Sequence, residues 1–260
     1  MRPAITVFGG LRQHEEMRQE NSQAALRNPG DPATGPYTGY MFEDNSTTYE
    51  FDNTSYRVGV EWRPDDSTLY YASRSSAARA PVPIDQTTLA ILADQGLPNL
   101  SSEDASELVS TDIGAKMSMM DDALDLEIVY ALSEWTDIPM YSGYGTPNGP
   151  LSMSVGGTDA DVTSLEMSAS YTISDTLSLT YAGGLTDTEV AAVPDPSVVV
   201  NFPAAIQVGG ELYGYSPTTH SITLDYSDDM DNGWEAYGSV DYAYREKMMG
   251  FSSVVYADEY

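Results

Sequence analysis

The chain has 260 residues and no cysteine, with 40 acidic against 11 basic residues and a formal net charge of −29. Without cysteine there is no disulfide framework, thiol nucleophile or Cys-ligated zinc or iron–sulfur centre, and so acidic a surface repels nucleic acid. No apolar run approaches the ~18 residues of a membrane-spanning helix, which leaves soluble folds and half-apolar barrel strands open.

The first strand is expected over 3–13, followed by a loop in which 13–27 holds a short helix and 28–40 is rich in Gly and Pro. The next two strands, 48–63 and 67–80, flank the tight turn Pro64-Asp65-Asp66. In the first of them Tyr56, Val58, Val60 and Trp62 alternate with Arg57, Gly59, Glu61 and Arg63. This is the period of two that sends successive side chains to opposite faces of a strand. A second long loop follows, with a possible short helix over 86–97.

Strands 106–119 and 123–138 flank Met120-Asp121-Asp122, and Leu124, Leu126, Ile128, Tyr130 and Leu132 alternate with more polar neighbours. A loop containing the Gly- and Pro-bearing stretch 143–150 leads to strands 161–173 and 176–188 around Ser174-Asp175. The last loop includes 194–217 and precedes strands 217–228 and 233–247, joined by Asp229-Met230-Asp231-Asn232. The polar face of these strands carries Glu127, Glu166, Asp225 and Asp241.

Alternation alone does not say which face is buried, because a soluble sandwich alternates too. The connections decide. Four are tight, and the others run to roughly 34, 25, 22 and 28 residues, in strict alternation. Loops beyond ~12–15 residues are uncommon in compact domains, whereas an outer-membrane barrel puts short turns on one side and long loops on the other. Strands of 12 to 16 residues exceed the ~5–6 usual in globular proteins. The fold expected is all-β, an antiparallel meander of about nine long strands forming part of the wall of a transmembrane barrel. The 19 Tyr and 3 Trp fit either a membrane interface or plain strand propensity.

No catalytic constellation emerges, and no cofactor or metal site is assigned. His14 and His220 lie in different segments without metal-ligand spacing, and each reads as structural or solvated. The pairs Asp65-Asp66, Asp121-Asp122 and Asp228-Asp229 fall at turns, where Asp side chains accept backbone N–H bonds. Residues 228–233 resemble a calcium loop, but Met230 occupies a ligand position, and Asn232-Gly233 reads as a hairpin turn. Loop tyrosines Tyr141, Tyr144, Tyr213 and Tyr215 are candidates for solute contact, with loop-on-loop packing as the alternative; the substrate-binding residues stay unassigned.

The run from Tyr56 through Pro64-Asp65-Asp66 to Arg79-Ala80-Pro81 resembles the barrel of TonB-dependent outer-membrane receptors, with Ala78 standing where the family has an aromatic. Gly9-Gly10-Leu11-Arg12 is similar to another barrel strand of these receptors as it leaves the membrane, and Glu107 through Lys116, Trp135-Thr136-Asp137-Ile138, Ser174-Asp175-Thr176, Trp234-Glu235-Ala236 and Asp241-Tyr242-Ala243-Tyr244-Arg245 follow the family's later hairpins in order. The resemblance implies a wall of a plugged, 22-stranded barrel in the outer membrane and a non-enzymatic role. That role is active uptake of a scarce nutrient of the siderophore, cobalamin or oligosaccharide class. Its partners would be outer-membrane lipid, the TonB energy-transducing complex and the nutrient. The Met1-Arg2-Pro3 start lacks a signal peptide, no plug domain precedes the strands, and the closing strands are missing, so 1–260 is expected to be a single partial barrel domain, a fragment. The alternatives are another outer-membrane β-protein, such as a porin-like channel or adhesin, and a soluble acidic protein binding calcium or glycans.

Overall fold

The structure, a computed structural model, describes residues 3–27, 40–81, 105–146, 149–193 and 206–249. Nine strands form one antiparallel sheet in chain order: β1 (Ala4–Arg27), β2 (Tyr40–Arg63), β3 (Thr68–Arg79), β4 (Ser106–Met119), β5 (Leu124–Thr146), β6 (Gly149–Ser174), β7 (Leu177–Ala192), β8 (Thr218–Asp229) and β9 (Glu235–Arg245). Every neighbouring pair is antiparallel, so β1 and β9 run in the same direction at the two edges.

Two sequence expectations are corrected. Residues 13–27 are strand, not loop and helix, because β1 stays paired with β2 up to Arg27 opposite Tyr40. The 22-residue loop expected after 138 is mostly hairpin: β5 and β6 stay paired up to Thr146 opposite Gly149. Above the bilayer both faces of a hairpin meet water, so nothing imposes the alternation by which a strand is recognised. Gly and Pro then read as loop where the chain is still in the ladder. The possible helix over 86–97 lies outside the described residues.

The tight turns are built as their residues suggest. Asp65 Oδ1 accepts from Ser67 N at 3.0 Å and Ser67 Oγ at 2.9 Å. Met120, Asp121 and Asp122 all take positive φ, 60°, 55° and 65°, a region that Asp tolerates better than most residues. At the last turn Asn232 Oδ1 accepts from Trp234 N, and Gly233, at φ 79°, donates to the Met230 carbonyl. Residues 228–233 therefore form a hairpin turn.

The register separates two faces. Val60, Ala72, Ile113, Tyr130, Leu165 and Leu185 are directly opposed in sequence from β2 to β7, all on one face. On that face Ile5, Val7, Val58, Leu132, Leu185 and Val240 are 48–75% exposed. The exposed apolar residues continue from β1 to β9, far beyond the ~300–600 Å² patch of an ordinary soluble monomer. This is the outer, lipid-facing surface.

The outer band also reports strand tilt. Perpendicular to the strands, Gly59 on β2 is level with Ser73, Asp112, Ala131, Ser164 and Thr186. The apolar run is centred near Gly59 on β2, but near Ile128 rather than Ala131 on β5 and near Tyr181 rather than Thr186 on β7. The band slips about one residue, ~3.3 Å, for each ~4.8 Å step across the sheet. A bilayer cutting the sheet along that line makes the strands tilt by ~35°, within the range a closed barrel needs. On β5 the run Leu124–Leu132 then stands about 22 Å tall, close to the ~25 Å apolar belt of such barrels.

Aromatics cluster near the short-turn end of this belt. Trp62 and Tyr70 stack at 5.4 Å across the first short turn, and Tyr171 and Tyr226 lie near the turn ends of β6 and β8. That placement favours the interfacial reading of the tyrosine content.

Candidate functional site

The face opposite the lipid band carries Glu127, Glu166, Asp225 and Asp241, as the alternation requires. It is the concave side: one hollow of about 650 Å³ is lined from β5 through β9. Its walls include Glu127, Glu166, Ser168, Gly184, Ser221 and Arg245. Where β6 to β9 line it, small residues such as Ser168, Ala182, Gly184 and Ser221 leave the space unfilled.

On β1 to β4 of the same face, aromatic rings cover the glycines of the neighbouring strands. Phe8 lies across Gly59 and Tyr71 across Gly114, so that a Cβ at either glycine would collide with the ring. Lys116 Nζ pairs with Glu127 Oε1 at 2.8 Å, and Thr223 Oγ1 donates to Asp241 Oδ1 at 2.7 Å farther round the wall.

At the long-connection end the inner face has a roof. A β-bulge displaces the register between Trp135 and Ile138, with Asp137 at φ 51° and its N–H donating to Asp159 Oδ1 at 2.9 Å. The bulge re-aims the following residues, and Ile138 and Met140 join Ala160, Val190, Ile206 and Leu212 in a buried cluster. The strap 206–217 supplies the last two and is tied to β7: Val190 N donates to Gly210 O, Gly209 N to Val190 O, and Leu212 N to Thr188 Oγ1 at 2.9 Å. Trp135, Tyr213 and Tyr215 pack against the cluster. Burial pushes the Tyr215 hydroxyl pKa up.

Two smaller hollows, of about 420 and 190 Å³, open beside this cluster and share Arg79, Trp135 and Tyr215. The indole is fixed: Trp135 Nε1 donates to Ser106 Oγ at 2.6 Å, and Ser106 Oγ donates to the Thr136 carbonyl at 3.1 Å.

Of the loop tyrosines singled out from sequence, Tyr213 and Tyr215 both pack on the strap cluster and both line the smaller of these hollows. Tyr141 and Tyr144 lie on the backbone of β5, not in a loop. His14 sits inside β1, not at a strand-to-loop boundary, 3.4 Å from Glu16. His220 stacks on Tyr244 at 4.9 Å, on the outer face. Sequence reading passed over Trp135 and Arg79 as site residues. The available signal was parity, since Trp135 is an aromatic in register with polar Ser133 and small Ala131.

Comparison with known proteins places this geometry. The family model described as the TonB-dependent receptor-like β-barrel matches residues 4–259. Among solved structures, the siderophore receptor PiuA from Acinetobacter baumannii aligns with a TM-score of 0.66 at 14% identity, covering 98% of this chain and 33% of that one. The ferric yersiniabactin uptake receptor FyuA from Yersinia pestis aligns at 0.69 with 10% identity, over 98% and 34%. The copper transporter OprC aligns at 0.63 with 14% identity, over 98% and 36%. The chain thus spans about a third of the length of the solved proteins it matches. No curated protein sequence matches it.

Proposed function

The chain belongs to the TonB-dependent receptor-like β-barrel family, outer-membrane proteins that act as receptors and transporters rather than enzymes, and from that premise we propose that it forms part of the barrel wall of a receptor for active uptake of a scarce nutrient. The nutrient is of the siderophore, cobalamin or oligosaccharide class. The observation that carries this is the family match over 4–259, nearly the whole chain. Solved neighbours described as siderophore and ferric yersiniabactin uptake receptors support the import of metal chelates first.

Residues 1–260 act as a single, partial barrel domain. Both sheet edges would leave backbone N–H and C=O groups unpaired in lipid, at several kcal/mol for each group. Further strands therefore close the wall. Because β1 and β9 run in parallel, antiparallel closure takes an odd number of them. Energy for uptake comes from the TonB complex, and lipid covers the outer band.

The test is disruption of the gene in cells starved of iron, followed by uptake of a labelled ferric siderophore, cobalamin and an oligosaccharide. Uptake of one class is expected to fall and to be sensitive to an uncoupler. Unchanged uptake of all three would overturn the reading.

A further inference from the structure

On β1, β2 and β4 the inner-face glycines share a neighbour. Gly10, Gly59 and Gly114 each have a cation two residues away on the same strand and face: Arg12, Arg57 and Lys116. Two of these pairs hold a ring. Phe8 stands directly opposite Gly59 and lies across it, with the Arg57 guanidinium 5.4 Å from the ring centroid. Tyr71 stands directly opposite Gly114 and lies across it in the same way. In both, the ring comes from the preceding strand. A glycine lets the ring settle on the backbone, and a cation beside it is drawn to the ring face.

Gly184, on the inner face of β7, lacks the cation. Its neighbours on that face are Ala182 and Thr186, and it meets Glu166 and Thr219 rather than a ring. The ring therefore goes with the glycine–cation pair, not with glycine alone.

Gly10 and Arg12 repeat the arrangement at an edge of the sheet. Arg12 lies toward the long-connection end from Gly10, as Arg57 does from Gly59. Both residues are exposed, and among the described residues a Cβ at Gly10 would meet nothing within 4 Å. The β2 residue opposite Gly10 is Arg57, which already covers Phe8. A ring for Gly10 has to come from the free side of β1.

We propose that the free edge of β1 receives an antiparallel strand whose inner face presents an aromatic side chain directly opposite Gly10 and beside Arg12. On its other face that strand carries apolar residues level with Val7 and Leu11, which are 75% and 81% exposed on the lipid side. The proposal rests on the reading that further strands complete the wall; the nutrient does not enter it.

The chain has no cysteine, so one introduced thiol can fix the register of a probe strand. The full chain bearing Thr6→Cys, on the same face as Gly10, is placed in lipid vesicles. It is mixed with a synthetic peptide of about eleven alternating polar and apolar residues, long enough to span the bilayer as a strand. The peptide carries one cysteine opposite position 6 and Phe, Leu or Ala opposite Gly10. It is supplied as its glutathione disulfide, and mass spectrometry reads how far it exchanges onto the chain in glutathione buffer. The Phe peptide is expected to exchange about fivefold more favourably than the Leu and Ala peptides. Moving Phe to face Phe8 should remove that preference. Gly10→Val should abolish it by filling the space, Arg12→Gln should reduce it, and Arg12→Lys should keep most of it. Equal exchange of the Phe and Leu peptides, or a Phe preference that Gly10→Val or Arg12→Gln leaves unchanged, overturns the ring socket while strand closure stands. Exchange of every peptide no better than that of cysteine alone shows that the edge takes no strand and overturns both.

Discussion

The same three strands, β5, β6 and β7, are built in opposite ways at two heights. In the wall, Tyr130, Leu165 and Leu185 point outward and stay 41–54% exposed, while the inner face is polar or small. At the rim, Ile138, Met140, Ala160 and Val190 are at most 4% exposed and pack under the strap on the inner side. Strand pairing does not change between the two heights; the surroundings do. Lipid can accept an apolar face that is left open, whereas water outside the bilayer makes the chain bury its own. The wall is therefore finished by the membrane, and the rim by the strap 206–217.

The strongest way to break this contrast is to put a charge in the wall. Met167→Arg, on the outer face near the centre of the band on β6, is expected to destabilise the membrane-inserted protein by ~2–4 kcal/mol. Asp161→Arg, six residues along the same strand and above the band, should cost nothing measurable. Reversible urea unfolding in lipid vesicles reads both, and equal penalties would mean that the band does not end where the register places it. The rim answers a different substitution. Ile138→Ala removes buried methyl groups and is expected to cost about 2 kcal/mol, the low end for such truncations because the cluster is small. Hydrogen exchange should then rise at Val190, Gly209 and Gly210, whose amides donate within or beside the strap, and stay flat at Tyr130 and Leu165. A uniform rise across the sheet would show that rim and wall unfold as one unit.

This division also explains what was legible in the sequence. In the wall the bilayer forces period two, so Tyr56 to Trp62 and Leu124 to Leu132 declare both strand and face, and the short turns declare themselves through Asp and Asn-Gly. The family resemblance was legible on the same residues. Above the band the signal vanishes. Residues 13–27 and 143–146 are strand without alternation, and the Trp135–Ile138 bulge shifts parity where parity was the only guide. The rim hollow was illegible for a further reason: Arg79, Trp135 and Tyr215 are far apart in sequence and meet only through the β3–β4–β5 register and the strap's return.

Between band and rim lies a smaller test. Glu134, Asp161 and Glu189 are directly opposed on β5, β6 and β7, and like charges in that position destabilise a sheet. Asp161→Lys turns two repulsive pairs into attractive ones and is expected to stabilise the protein by up to ~1 kcal/mol at low ionic strength. Salt should erase most of the gain. A gain that survives 1 M salt would point to side-chain packing instead of charge.

The smallest effect separates the two ends of the wall by acid. The rim cluster is apolar and has nothing to titrate, but the first short turn is held by a carboxylate. Hydrogen bonds from Ser67, and then from Thr68, hold the Asp65 carboxyl below the usual range, so the folded protein keeps that carboxylate ionised to lower pH than an unfolded chain would. The sign follows: the turn's contribution is fully present above the ordinary carboxylate pKa and is lost as pH falls through the depressed folded value. Because Asp65 is fully exposed, the effect stays local. After correction for intrinsic exchange rates, protection of the Ser67 amide should drop in acid, while that of the Leu212 amide, donated to Thr188 Oγ1 at the rim, holds. Asp65→Ala should lower Ser67 protection at neutral pH and remove its acid dependence. If the variant keeps the same acid dependence, the carboxylate is not what holds the turn.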